Sequence, residues 1–199
     1  MLPGALGRDR LFDEDEVLDA ALLLFWEKGY PSTGLTELEE VMGMGRASIY
    51  NAWGSKSALF LAAFERYVET WLKPVLERAR QQGKSPLDCV QRALASRVKG
   101  AFESEPGGCL LARTAVDLAV LEDEIAERVS EELAATTDFY RGLLEQARTQ
   151  GEIPRRKDLA ELAAGLCSVH FGSLLLAGTP ARKGPVLRFV RGFVEDLAS

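Results

Sequence analysis

The segment Gly29–Leu59 reads GYPSTGLTELEEVMGMGRASIYNAWGSKSAL, and its glycines decide the fold. Short helices are predicted at 34–42 and 46–53, parted by Gly43-Met44-Gly45. Two short helices joined by a tight glycine turn and packed on a longer preceding helix are the layout of a helix-turn-helix. The spacing can be checked position by position. With Gly43 at the turn, apolar residues belong one and five places before it, where Met42 and Leu38 stand. They belong one and six places after it, where Met44 and Ile49 stand. These four would fix the crossing angle that lets a second helix enter a DNA major groove. One position departs from the pattern: Glu39, four places before the turn, stands where close helix approach favours a small residue. A plain helical corner meets the same spacing, so the motif alone leaves that alternative open.

Outward from this segment the chain reads as helix throughout, with no period-two alternation bounded by hairpin turns. Asp13 and Glu16 are spaced as a capping box and Phe12 and Val17 as a hydrophobic staple. Leu18, Ala21, Leu22 and Phe25 then make one apolar face, which Gly29 ends. After Ser55, a good N-cap, a helix is expected to run toward Arg80, kinked or frayed at Pro74. Further helices are expected at 86–104, 109–121, 123–150, 158–177 and 185–197, for about nine in all. The 158–177 segment leaves little polar face, so it belongs either at the centre of a bundle or in half of a dimer interface. The expected fold is all-α: a helix-turn-helix domain over residues 1–60, then a helical bundle over 61–199.

Composition narrows the function. A net charge of -6 argues against coating nucleic acid by charge alone, though not against a local basic surface. The longest apolar run, Ala20–Trp26, is far short of the roughly 20 residues of a membrane span. No secretory pattern opens the chain, so a cytoplasmic protein away from membranes is expected. Cys89, Cys109 and Cys167 are odd in number and widely spaced, as reduced thiols are. One histidine, scattered carboxylates and no phosphate loop or nucleophile motif leave little for an enzyme to work with, and no cofactor is implied. A helical adaptor that binds only protein is the stronger rival to DNA binding.

The wider segment is more specific than the turn. Lys28-Gly29-Tyr30-Pro31-Ser32-Thr33, Leu38, Gly43, Ser48-Ile49-Tyr50, Trp53 and Ser55-Lys56-Ser57-Ala58-Leu59 together resemble the N-terminal DNA-binding region of the TetR/AcrR family of transcriptional regulators. Gly7–Asp13 looks like the basic arm of one branch of that family, and Gly108–Ala115 is similar to part of its ligand-binding half. The resemblance implies that Thr33 caps the second helix and holds a phosphate. It implies that Arg46, Ala47 and Ser48 face base edges, with Asn51 one turn on, and that Tyr50 and Lys56 reach phosphates. Arg8 and Arg10 would enter the adjacent minor groove of double-stranded operator DNA. Gly45 stands where the family has a hydroxyl cap, Trp53 where it has phenylalanine, and Asp9 where it has proline. Residues 1–60 hold five basic against ten acidic side chains, which predicts few phosphate contacts and a shallow salt dependence.

The resemblance also implies that the larger half binds a small-molecule effector and makes a homodimer through its last two helices. Val186, Leu187, Phe189, Val190, Phe193, Val194 and Leu197 supply an apolar face suited to that pairing. Phe102, Cys109, Thr114, Phe139, Tyr140 and His170 are candidates for an apolar effector pocket with a few polar handles. Cys109 follows two glycines at a helix start, where a reactive thiol would sit, and Cys167 with His170 has helical metal-ligand spacing. Ordinary core packing accounts for these residues equally well, and no metal is expected.

Overall fold

The computed structural model describes residues 14–199, so the arm with Arg8 and Arg10, and the cap and staple at Asp13 and Phe12, lie outside the described residues. These residues form α1 (Glu14–Lys28), α2 (Leu35–Met42), α3 (Arg46–Trp53), α4 (Lys56–Tyr67) and α5 (Lys73–Gln82). They continue with α6 (Pro86–Glu103), α7 (Leu110–Val116), α8 (Asp123–Thr149), α9 (Leu159–Ala177) and α10 (Lys183–Asp196). No strand occurs among the described residues, and the expected all-α fold is the fold found.

The expected long fourth helix is continuous but not uniform. A π-turn at Val68–Leu72 joins α4 to α5, with the Lys73 N–H bonded to the Val68 carbonyl. Pro74 explains its position. Proline has no N–H to donate, and its ring clashes with the carbonyl four residues back, so the backbone widens just before it. Counting α4 and α5 as one helix gives, among the described residues, the nine expected. The 109–121 helix is likewise shorter than expected: α7 ends at Val116, and a 3-10 turn at Leu118–Val120 follows.

Packing starts at α1. Its acidic first turn (Glu14, Asp15, Glu16) and Lys28 in its last turn match the helix dipole. Gly29, at φ 82°, stops it in the left-handed conformation that glycine adopts without strain. Ala21, Leu22, Phe25 and Trp26 face α4, where Phe25 meets Phe60 edge-on at 5.1 Å and Trp26 meets Tyr67 at 4.9 Å. Each such aromatic contributes about 1.5–3 kcal/mol by leaving water. α5, α8, α9 and α10 surround α6, and α7 bridges α8, α9 and the head.

α9 resolves the alternatives left open by its composition. One face, with Leu166, His170 and Leu174, is buried in the bundle; the other leaves Leu175 and Leu176 nearly half exposed, beside Phe189 of α10. Among the described residues it is also long and apolar enough to cross a membrane. Its inner face is built into the bundle instead, with His170 hydrogen-bonded to Tyr140 of α8.

Candidate nucleic-acid interface

The turn between α2 and α3 is built as the spacing predicts. Gly43 adopts φ 62°, a left-handed cap whose N–H returns to the Glu39 carbonyl. Leu38, Met42 and Ile49 are buried and form the seam between the two helices. Ile49 alone of α3 is buried, so Arg46, Ala47, Ser48, Tyr50 and Asn51 all stand on the exposed face.

Two departures from the family pattern explain each other. Gly45 precedes α3 and offers no side chain to cap it. The Glu39 carboxylate takes over: Oε1 accepts the Arg46 backbone N–H at 2.6 Å and lies 3.7 Å from the Arg46 guanidinium. An acceptor carried by α2 thus caps α3 from across the turn, and needs the longer side chain to reach it. The same carboxylate partly holds the exposed Arg46 side chain.

Thr33 does not cap α2, and both Thr33 and Lys56 have hydrogen-bond partners within the head. The cap of α2 is Gly34, whose N–H donates to Glu37 Oε2 at 3.0 Å. Thr33 lies one residue too early, and its buried hydroxyl donates to the Gly29 carbonyl at 2.7 Å, which ties the end of α1 to the start of α2. Lys56 donates to the Tyr30 carbonyl at 2.8 Å and lies over the Tyr30 ring. Burial lowers its pKa. Both residues brace the head.

Part of the acidic surplus is paired. Arg66 of α4 binds Asp19 through two nitrogens and Asp15 through a third, and Lys28 pairs with Glu37. These hydrogen bonds hold the Asp19 and Glu37 carboxyls below the usual range. The pairs join α1 to α4 and to α2, and they offset charge that would otherwise repel phosphates. The head also touches the body: Tyr30 donates to Glu122, and Arg113 lies so close to Gly29 that a Cβ there would sit 3.2 Å from its Nε.

The six effector candidates do not share one surface. Cys109 lines a cleft of about 280 Å³ between α1, α7 and α9, together with Trp26, Gly107, Gly108, Arg113, Asp117, Leu174 and Leu175. Thr114 is buried and donates to the Leu110 carbonyl. Tyr140 and His170 are closed in the core, 2.7 Å apart, and Phe102 and Phe139 are half-buried. Cys109 caps α7 by accepting the Ala112 N–H. Cys167 accepts from Thr137, so Cys167 and His170 find separate partners. Sequence reasoning missed Arg97. It stands three and four places from Leu94, Ala93 and Ala101 on the buried stripe of α6, and a charge at such a period was the available signal.

An exposed helix face held by a glycine turn on a three-helix head defines a helix-turn-helix DNA-binding protein. Residues 17–63 match the family described as bacterial regulatory proteins, tetR family, and residues 86–193 match the tetracyclin repressor-like C-terminal domain. The chain belongs to the TetR family of DNA-binding transcriptional regulators. Its relatives include the HTH-type transcriptional repressor ComR of Escherichia coli (strain K12), 28% identical over 86% of this chain and 82% of that protein. The uncharacterized regulator YezE of Bacillus subtilis (strain 168) is 33% identical over 74% of this chain and 76% of its own. Among solved structures, the TetR family regulator CifR, as a cysteine mutant complexed with 26-bp operator DNA, has a TM-score of 0.85 at 26% identity, covering 96% of this chain and all of that one.

Proposed function

We propose that the protein is a dimeric repressor, released from a palindromic operator when a small molecule occupies the cleft between α1, α7 and α9. The observation that carries this is the exposed face of α3, in which the inner seam is fully packed and the outer side chains are those that read and grip DNA. Arg46 would read guanine, Asn51 adenine, and Tyr50 a phosphate, with Ala47 and Ser48 allowing close approach. A division of labour near residue 60 follows, with sensing and dimerisation in 61–199. The apolar faces of α9 and α10 around Val169, Gly172, Leu176, Val186 and Phe189 suit a two-fold four-helix interface.

The cleft supports the release mechanism. Trp26 belongs to the head, while Arg113 and Leu174 belong to the body, so a ligand between them changes how α1 sits on α7 and α9. In a dimer, a small tilt of each head alters the spacing of the two recognition helices against successive major grooves. Selection of bound duplexes from a random library tests the reading, with Arg46→Ala plus Tyr50→Ala as the control. Lys56→Ala is unsuitable as a control because it would remove a brace of the head. An enriched palindrome that the control binds at least ~10-fold more weakly is expected, from about 1–3 kcal/mol per lost base contact. No enrichment at low salt by folded dimer would leave a protein-binding adaptor in its place.

A further inference from the structure

We propose that the effector is a small organic monocarboxylate, its apolar tail in the cleft beside Trp26 and Leu174 and its carboxylate on the buried guanidinium of Arg97. This deepens the ligand-responsive reading and rests on it.

The argument begins with a charge that has no counter-charge. Arg97 is 8% exposed and makes no ion pair among the described residues. Its guanidinium donates to Tyr67 Oη at 3.0 Å, Cys109 Sγ at 3.3 Å and the Trp71 carbonyl at 3.4 Å, all neutral or weak acceptors. Its Nε–H has no acceptor. The nearby His170 supplies no counter-charge in either protonation state, and burial and the Arg97 charge lower its pKa. A buried charge without a partner is costly, and proteins that keep one usually pair it.

The second observation is independent. Trp26 lines the cleft, and its buried indole Nε1–H also lacks an acceptor. Two orphaned donors, one beside the cleft and one behind it, call for a ligand that only accepts hydrogen bonds, as a carboxylate does. Cys109 is the partition between them: it lines the cleft, and its thiol occupies the Arg97 nitrogen. Sulfur is a weak acceptor, so a carboxylate oxygen displaces it readily and gains a charge-assisted bond. The apolar walls at Trp26, Val116, Leu174 and Leu175 favour an acid with a hydrocarbon tail over an inorganic oxyanion, and the volume of about 280 Å³ sets it as small.

The test uses the full-length protein on its selected operator, with butyrate and benzoate as probes, their methyl esters as neutral counterparts, and sodium chloride at matched ionic strength. Either acid is expected to raise Tm by at least about 3 °C over chloride and to weaken operator binding at least ~5-fold. Arg97→Met should abolish both responses while binding the operator within about twofold of the parent without acid. This variant is expected to fold, because an apolar side chain of similar length replaces an unpaired charge. Arg97→Lys should retain a weakened response. Equal responses in the parent and Arg97→Met, or no response to either acid beyond chloride, would overturn the proposal. Release by the esters but not the acids would overturn the anionic class while leaving a ligand-responsive repressor; operator binding without any additive reports the regulator reading separately.

Discussion

Replacing Glu39 with alanine removes the acceptor that caps α3 across the turn. The Arg46 N–H then loses a 2.6 Å hydrogen bond, and Gly45 has nothing to put in its place. Loss of an N-cap acceptor costs about 1 kcal/mol, within a range of roughly 0.5–2. The accompanying ion pair, at 3.7 Å with the Arg46 side chain 53% exposed, adds at most a few tenths after solvent screening. A total of about 1–1.5 kcal/mol corresponds to a fall in Tm of roughly 2–6 °C for a chain of this size. Glu39→Gln keeps an acceptor without the charge and should recover at least half of the loss. Denaturant unfolding at fixed protein concentration measures both variants, because the proposed dimerisation would make the midpoint concentration-dependent. The same variants carry a second readout: Arg46 is freed, so affinity for unrelated duplexes should rise and the ratio of specific to non-specific binding should fall. Unfolding energies within about 0.3 kcal/mol of the parent for Glu39→Ala, or an equal loss in Glu39→Gln, would refute the capping argument.

Three further outcomes are expected. Gly43→Ala should cost about 1–2 kcal/mol in chemical denaturation through the left-handed backbone alone, since no atom lies within 4 Å of the added methyl. His170 is the single histidine, and burial holds its folded pKa well below the ordinary histidine range. The unfolded chain therefore takes up the proton first, so stability present above about pH 6.5 is lost as pH falls, by at most about 1.4 kcal/mol per unit. Titrating stability from pH 7.5 to 5 should reveal this slope in the parent and its absence in His170→Gln. Phe189→Glu on the open face of α10 should shift sedimentation from dimer to monomer and weaken operator binding at least ~10-fold, while far-ultraviolet circular dichroism stays unchanged.

The helix-turn-helix was legible because its determinants are local. Gly43 needs a left-handed φ, and Leu38, Met42 and Ile49 follow from helical period, so spacing alone places them. The intramolecular partners of Thr33 and Lys56 were not legible, since each depends on where the chain folds back. Thr33 finds the Gly29 carbonyl four residues upstream, and Lys56 finds the Tyr30 carbonyl 26 residues away. Glu39 was visible as an anomaly, but its meaning needed the distance across the turn. The effector candidates scatter over different surroundings. Aromatic and polar residues on apolar stripes look alike whether they face a cleft or the core, and Cys109 reached the cleft while Tyr140 and His170 closed on each other.

The π-turn between α4 and α5 sets a phase. Phe60, Phe64, Tyr67 and Val68 are buried, and an unbroken α-helix would carry the stripe on through residue 71. Leu72 is buried instead, and Trp71 is 44% exposed. The single extra residue turns the apolar stripe by about 100°. Upstream of it the helix packs on α1 of the head; downstream it packs on α6 of the body. The azimuth at which the recognition helix leaves the body is therefore written in the length of one turn of backbone, independent of any side chain that touches DNA.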